Sequence, residues 1–382
     1  MNIRKNHPHS MRESIPDTHP EPGRATGVET PDWSTLGRAD FARYESHPRY
    51  AGLVATATPA DRLRVLRRFA LSFLAIKIKR AIHYELIPTD IRTGQGVSGR
   101  LRLLMAALAN LGRPHASRNV DANAPGSTPL HTSLARQGCA VVTMPEQALE
   151  HIRACSVTNF DRLARRRAAE STAPRAFEAS RSYATRAQSA ELFSVIESVF
   201  RQTGVLEGAS VYLGRQARLV DINPQINDAS DNFWQRIFPD TSDPLPATAY
   251  FHRDASGGDI KAIIYLSDVG PDNGPFSYAL GSHKIRLTRT DDHICEANDS
   301  NGMASTDPQQ RRDFAALPRR LRQKGAFGND LTEQDAARAV LLKSVWPITA
   351  PSGSIVVFDT KGIHRGGMVL QGERRVITCV IG

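Results

Sequence analysis

A histidine and a carboxylate two residues apart form the first candidate for chemistry in this chain. His252 and Asp254 stand at the end of a short strand-forming run, with Arg253 between them. Because side chains alternate along a strand, His252 and Asp254 point to one side and Arg253 to the other. A second histidine, His364, follows a later apolar run. Two imidazoles and one carboxylate could together hold one metal ion.

The proposed ligand set does not fill the coordination sphere of a metal ion, so reactants could bind the same ion. Two histidines and one carboxylate leave open positions on the ion, an arrangement typical of non-haem Fe(II) sites that must bind oxygen and an oxo-acid together. Arg374 and Arg375 follow His364 by ten and eleven residues, and a guanidinium pairs with a carboxylate through two parallel hydrogen bonds. Each piece alone is common, so the prediction rests on the ordered set.

Several motifs surround these residues in a fixed order. The segment LARQGCAVVTMPEQALEHIRA is followed by FHRD, by IIYLSDVGPDNGPFSYALGSHK, and finally by GSIVVFDTKGIHRGG and ERRVI. This order resembles the phytanoyl-CoA dioxygenase-like branch of the Fe(II)/2-oxoglutarate-dependent oxygenases. The run NGPF followed by GSHK is the most similar to that family's signature. The resemblance covers roughly residues 131–382.

The resemblance implies a role for each candidate residue. His252, Asp254 and His364 would be the iron ligands, and Arg375 would bind 2-oxoglutarate, with Arg374 on the opposite face of the strand as the second choice. The implied cofactors are Fe(II), 2-oxoglutarate and O2. The implied activity is hydroxylation of a small organic substrate, coupled to conversion of 2-oxoglutarate to succinate, with desaturation or ring closure as related outcomes. A carboxylate at Asp254 disfavours halogenation, because halogenating relatives carry a small residue there.

Three further residues bear on this interpretation. Many relatives carry a small hydroxyl residue two positions after the distal histidine, where this chain has Gly366. The second anchor of 2-oxoglutarate therefore stays open. His283, in GSHK, is interpreted as a residue that orders its loop or supports an iron ligand rather than binding iron itself. Asp359 is interpreted as a residue that caps the turn before His364 or pairs with a base.

The fold predicted is α+β. The resemblance implies a double-stranded β-helix (a cupin-like jelly roll) with flanking helices and a helical N-terminal extension. We expect an irregular or mobile N-terminus over residues 1–58, a helical extension and linker over 59–130, and the jelly-roll domain over 131–382. An Arg-rich insertion spans about 288–343. From residue 210 onward the short β-branched runs predict strands, beginning with SVYL.

The composition is typical of a globular protein and excludes disordered and fibrous proteins. Of the 382 residues, 40% are hydrophobic and 23% charged, and the four cysteines form no C-x-x-C pair. The longest apolar run is too short to span a bilayer, and the N-terminus shows no signal-peptide pattern. We therefore expect no transmembrane segment, a reducing compartment and a cytoplasmic location.

The basic character of the chain leaves its partners open. The net charge of +10 attracts anions without choosing among them. The basic residues of 59–86 form a solvated face, a membrane-surface helix or a docking face for an acidic carrier protein. Those of 311–324 form either a site for an anionic substrate group or a solvated helix. They are spread over several segments without an aromatic platform, so we expect no nucleic acid partner. The alternative to an enzyme is a catalytically silent jelly-roll protein that binds an anionic ligand or nucleic acid.

Overall fold

The computed structural model of the protein describes most of the chain beyond residue 126 and three shorter stretches before it. The described residues are 28–33, 55–80, 121–123, 126–169, 181–182, 184, 186–229, 251–254, 260–285, 312–313, 315–321 and 336–382. The side chains of residues 76–80 and 336–337 lie outside the description. Residues 81–120 of the predicted helical extension and linker also lie outside the described residues.

Helices and strands follow one another in a mixed order. The helices are α1 (Pro59–Arg80), α2 (Pro129–Gln137), α3 (Glu146–Ala169), α4 (Ala190–Gln202), α5 (Val205–Leu213) and α6 (Ala336–Ser344). The strands are β1 (Cys139–Thr143), β2 (Leu219–Asp228), β3 (Ile260–Tyr265), β4 (Phe276–Ala279), β5 (Val345–Ile348), β6 (Ser354–Asp359), β7 (His364–Arg365) and β8 (Glu373–Ile381). A single 3₁₀ turn, Ser282–Lys284, lies within GSHK.

Two antiparallel sheets organise the described strands. The larger has five strands in the order β1-β6-β3-β8-β2, and the smaller has three in the order β5-β4-β7. The outer edge of β2 is paired further by isolated bridges from Arg181 to Gln225 and from Ala184 to Ile222. The described helices and strands therefore form an α+β arrangement whose sheets are antiparallel.

The two faces of the larger sheet have different partners. On one face, alternate residues such as Ile260, Ile264 and Ile377 share a core with helices α2 to α5. On the other face, residues such as Ile263 and Val376 share a second core with the smaller sheet. Because successive side chains of a strand point to opposite faces, β1, β3, β6 and β8 each contribute to both cores. The functional residues lie on the face shared with the smaller sheet.

One predicted strand is wrong. SVYL lies within helix α5, which begins and ends between Gly204 and Gly214, both in the left-handed backbone region. Its buried residues include Val205, Ala209 and Tyr212. They recur at the three- and four-residue steps of a helix, and this period outweighed the β-branched residues. The strands predicted at ARLVDI, IKAIIYLSDV, FSYAL, SIVVFDT and RRVITCVIG are confirmed as β2, β3, β4, β6 and β8.

Helix α1 begins where the sequence predicts. The backbone N–H of Asp61 donates to Thr58 Oγ1, and the Thr58 hydroxyl donates to the Asp61 carboxylate, so the two residues cap the helix reciprocally. Further along, Arg64 and Arg68 both pair with the buried Asp313, at 3.0 and 3.2 Å. Part of the basic face of α1 therefore binds the Arg-rich insertion. No helix in the described part of the chain is long and apolar enough to cross a membrane.

Candidate metal centre

Backbone pairing brings the two histidines together. The N–H of His252 donates to the carbonyl of His364 at 2.9 Å, and the N–H of His364 donates to the carbonyl of His252 at 2.8 Å. Residues paired in this way across two antiparallel segments project their side chains to the same side. The two imidazole centroids lie 4.5 Å apart. Main-chain hydrogen bonds therefore set the spacing of the two rings.

Asp254 completes the group. Its Oδ1 lies 3.7 Å from His252 Nε2 and 3.8 Å from His364 Nε2. Two ligand atoms that each lie about 2 Å from one ion are at most about 4 Å apart, and both separations satisfy this limit. The N–H of Asp254 donates to the carbonyl of Thr360, which ties its backbone to the turn before His364. The structure thus brings together the three residues chosen from the sequence.

Lys261 holds the other oxygen of the same carboxylate. Its ammonium lies 2.6 Å from Asp254 Oδ2, so Oδ1 alone faces the two imidazoles. Burial would raise the pKa of Asp254, but the positive charge of Lys261 and the two nearby imidazoles lower it below the ordinary value. Asp254 is therefore a carboxylate at neutral pH, as a metal ligand must be.

His364 is held as a neutral imidazole whose Nε2 carries no proton. Its Nδ1 lies 2.9 Å from the carbonyl of Gly362, which accepts the N–H and leaves Nε2 directed toward Asp254. Burial, followed by the charge of His252, lowers the pKa of His364 to about 3. The rings of Phe276, Tyr278 and Phe358 surround the imidazole. An unprotonated, oriented Nε2 is the form of histidine that binds a metal.

Neighbouring turns hold the distal histidine in place. Asp359 accepts the N–H of Lys361 at 2.8 Å and the hydroxyl of Tyr212 at 2.6 Å, so its predicted role in capping this turn is confirmed. The hydroxyl of Ser282 accepts the N–H of Ile363. His283, beside it, contacts the carbonyl of Ala135 and is not in the ligand group, as the sequence analysis expected. GSHK therefore supports the strand that carries His364.

A cavity of about 260 Å³ opens in front of the three residues. Among the described residues that line it, three are cationic, namely Lys261, Arg374 and Arg181, and one, Asp254, is a carboxylate. The other lining residues are uncharged or belong to the ligand group: Gln225, Asn227, His252, Ile263, Tyr265, Phe276, Phe358, His364, Gly366, Gly367, Val376 and Thr378. The surplus of positive charge favours anionic ligands.

The two adjacent arginines of β8 point in opposite directions. Arg374 is buried, lines the cavity with Val376 and Thr378, and donates to Asn227 Oδ1 at 3.1 Å. Arg375 is exposed on the helical face, where it pairs with Glu373 and lies over the ring of Phe160. Strand alternation thus places Arg374, the second choice from the sequence, in the cavity, and turns the first choice, Arg375, away from it.

Sequence reasoning did not find several of the cavity residues. Asn223, Gln225 and Asn227 occupy alternate positions of β2, and the last two line the cavity while Ile222 and Ile226 enter the helical core. The alternation of NPQIND was a usable signal for a half-polar strand. Lys261 and Arg181 carried no such signal, because each looks like an ordinary charged residue at a strand edge.

Comparison with known proteins finds only distant structural likeness. No family model matches the chain, and no curated protein sequence matches it. AviO1 from Streptomyces viridochromogenes Tue57 is 16% identical over 66% of this chain and 93% of its own, with a TM-score of 0.37. The apoform of EctD from S. alaskensis is 14% identical over 71% and 83%, with a TM-score of 0.41.

A third solved structure is also similar to this chain. It is the non-heme alpha ketoglutarate dependent carbocyclase SnoK from nogalamycin biosynthesis, 16% identical over 71% of this chain and 87% of its own, with a TM-score of 0.40. Because these likenesses are distant, a function for this chain must be argued from its own residues.

Proposed function

We propose that this chain is an Fe(II)- and 2-oxoglutarate-dependent oxygenase that hydroxylates a small organic substrate, with His252, Asp254 and His364 as the iron ligands. The observation that carries the proposal is the convergence of these three side chains at one end of a cavity that also contains Arg374. We further propose that it belongs to the phytanoyl-CoA dioxygenase-like branch and that the two facing sheets form a double-stranded β-helix.

The ligand group fits iron chemistry in both its atoms and its openness. Two imidazole nitrogens and one carboxylate oxygen suit a divalent first-row ion and leave positions open on the cavity side. Iron held here would supply oxygen activation coupled to decarboxylation of 2-oxoglutarate. The chain's own residues bind, orient and shield the reactants, and the aromatic wall of Phe276 and Phe358 limits water near His364.

Arg374 supports the assignment of 2-oxoglutarate as the cosubstrate. Its guanidinium is buried, reaches the cavity and is oriented by the Asn227 side chain. A buried arginine of this kind holds the far carboxylate of an oxo-diacid through two parallel hydrogen bonds. Gly366 leaves space beside Arg374, since a Cβ there would meet only the Nη2 atom, at 4.0 Å. Arg374 is therefore our choice for the cosubstrate anchor in place of Arg375.

Arg181 supports an acidic group on the substrate. It is bridged to Gln225 at the outer edge of the larger sheet, and the same row continues inward through Val376 to Tyr265. With strands about 4.8 Å apart, the backbone of Arg181 lies about 10 Å from that of β8, so the guanidinium groups of Arg181 and Arg374 enter the cavity from different positions. A carboxylate or phosphate on the substrate would pair with Arg181. An acidic carrier protein and a cytoplasmic location stay predictions.

The rival is a catalytically silent jelly-roll protein that binds an anionic ligand or nucleic acid through its basic surface. Anaerobic titration with Fe(II) and then 2-oxoglutarate distinguishes the two, because the iron–oxo-acid chelate has a weak visible charge-transfer band. We expect a band that requires both additions and is absent from the His252→Ala variant. The control variant His151→Ala should keep the band, because His151 lies on α3, on the side of the larger sheet away from the cavity. Folded wild-type protein without a band would favour the silent binder.

Hydroxylation itself needs a product. A screen of small carboxylates and phosphates, read by 2-oxoglutarate consumption and product mass, separates the outcomes. Gain of one oxygen atom supports hydroxylation, and loss of two hydrogen atoms would identify a desaturase or cyclase instead.

A further inference from the structure

A second group of metal-ligating side chains lies on the helical side of the larger sheet. His151 and Cys155 are one turn apart on α3, so they share one face of that helix. Glu191 lies in the first turn of α4, which packs beside α3. One ligand atom of each residue lies within 4.8 Å of a ligand atom of each of the other two. The ligand atoms of His252, Asp254 and His364 also lie within this distance of one another.

The core fixes the backbones that carry these three residues. Ile152, next to His151, and Leu192, next to Glu191, are both buried in the core that joins α3 and α4. Cys155 itself is half-buried and packs against this core. The two helices therefore present the ligand atoms from rigid elements, whereas His151 and Glu191 remain exposed and accessible to an ion from solvent.

Sulfur and carboxylate are already in contact without a metal. The thiol of Cys155 donates a hydrogen bond to Glu191. Burial, followed by the negative charge of Glu191, raises the pKa of this thiol above its usual value. A cation bound by both groups would have to displace the proton of this thiol.

The chemistry of the group selects a thiophilic divalent ion. A thiolate, an imidazole and a carboxylate are all ligands of zinc, whereas magnesium and calcium take oxygen ligands. Three protein ligands leave a fourth tetrahedral position for water. We propose that His151, Cys155 and Glu191 form a second metal site for zinc or a similar ion, on the opposite side of the larger sheet from the cavity. The ion would tie α3 to α4, and this proposal stands whether or not the chain is an oxygenase.

Cobalt(II) is the probe that separates the two sites. A cobalt ion bound by thiolate shows a charge-transfer band in the near-ultraviolet, whereas a site of two histidines and one carboxylate has no sulfur and cannot give it. We expect the full-length protein, reduced with a phosphine and free of metal, to develop this band on cobalt addition. Zinc should then bleach it by displacement.

Matched variants assign the band to residues. Cys155→Ser should abolish it, His151→Ala and Glu191→Gln should weaken cobalt binding at least tenfold, and His252→Ala should leave it intact. Circular dichroism checks that each variant is folded. Absence of the band in folded wild-type protein, or its survival in Cys155→Ser, would overturn the proposal.

Discussion

At the scale of single residues, the orientation of two adjacent arginines decides which one can meet an anion in the cavity. We predict that Arg374→Ala weakens 2-oxoglutarate binding about 10- to 100-fold, because it removes a buried charge-assisted pair worth about 1.5–3 kcal/mol. Calorimetric titration of the metal-loaded, oxygen-free protein measures this.

Arg375→Ala is the matched control for that prediction. Arg375 lies on the other face of β8, with its side chain half exposed beside Glu373. We expect its loss to leave 2-oxoglutarate affinity within about twofold, since an exposed pair contributes about 0–1 kcal/mol. The reverse pattern, with Arg375→Ala impaired and Arg374→Ala intact, would show that the cosubstrate binds elsewhere.

Lys261 is predicted to stabilise the metal-free protein through Asp254. The side chains are only 29% and 18% exposed, so removing the cation leaves a largely desolvated carboxylate. We expect Lys261→Met to lower the free energy of unfolding by about 1–3 kcal/mol in metal-free protein. Lys343→Met is the control, because Lys343 and Glu29 are both mostly exposed. Denaturant unfolding of both variants tests the prediction, and equal losses would contradict it.

The sequence predicted part of this site for a physical reason. The spacing of His252 and Asp254 sets their shared direction, and the structure brings His364 to them, although their role as ligands stays a prediction. Lys261 and Arg181 were not predictable, because their place in the cavity depends on which strands pair. The choice between Arg374 and Arg375 depended on the face of β8, which counting from His364 does not reveal.

At the scale of elements, β-branched residues predicted strands correctly except at SVYL, where the helical spacing of the buried residues outweighed residue type. The β-branched runs of β3, β6 and β8 were correctly predicted as strands because they are too short and too uniformly apolar for an amphipathic helix. The strand predicted at SVYL is wrong because these four residues continue the helical period that Val205 and Leu206 begin in α5. The order of the strands within each sheet was beyond sequence reasoning, since long-range pairing is set by the whole core.

The turns on either side of β7 are predicted to differ, with a glycine before the strand intolerant of substitution and a glycine after it tolerant. A Cβ on Gly362 would overlap the hydroxyl of Tyr278, a fully buried side chain that donates to the carbonyl of Asp359. We expect Gly362→Ala to cost about 1–3 kcal/mol and to weaken metal binding, because the Gly362 carbonyl holds His364. Thermal unfolding and metal titration measure both effects.

Gly366→Ala is the control within the same segment. A Cβ at this position reaches Arg374 Nη2 only at 4.0 Å, which is ordinary contact. We expect this variant to fold as stably as the wild type. Comparable destabilisation of the two variants would show that the turn fails for reasons other than the contact with Tyr278.

At the scale of the whole molecule, the net charge of +10 and the buried centre predict different responses to salt. Raising salt from about 50 to about 200 mM should change turnover at saturating 2-oxoglutarate by less than about twofold, because partly buried pairs are screened little. A protein whose function is to bind nucleic acid would lose affinity about 1,000-fold or more over this range. A steep loss of turnover would point to function at the basic surface.

The alternation along β8 has a consequence for how the strand keeps its alignment. A slip of one residue against β3 and β2 would bring Arg375 into the cavity, so the charge there would hardly change. The same slip would turn Ile377, Cys379 and Ile381 out of the helical core, and that loss of apolar burial forbids it. The alignment of the cavity is thus enforced by side chains on the far face of the strand, which touch no ligand.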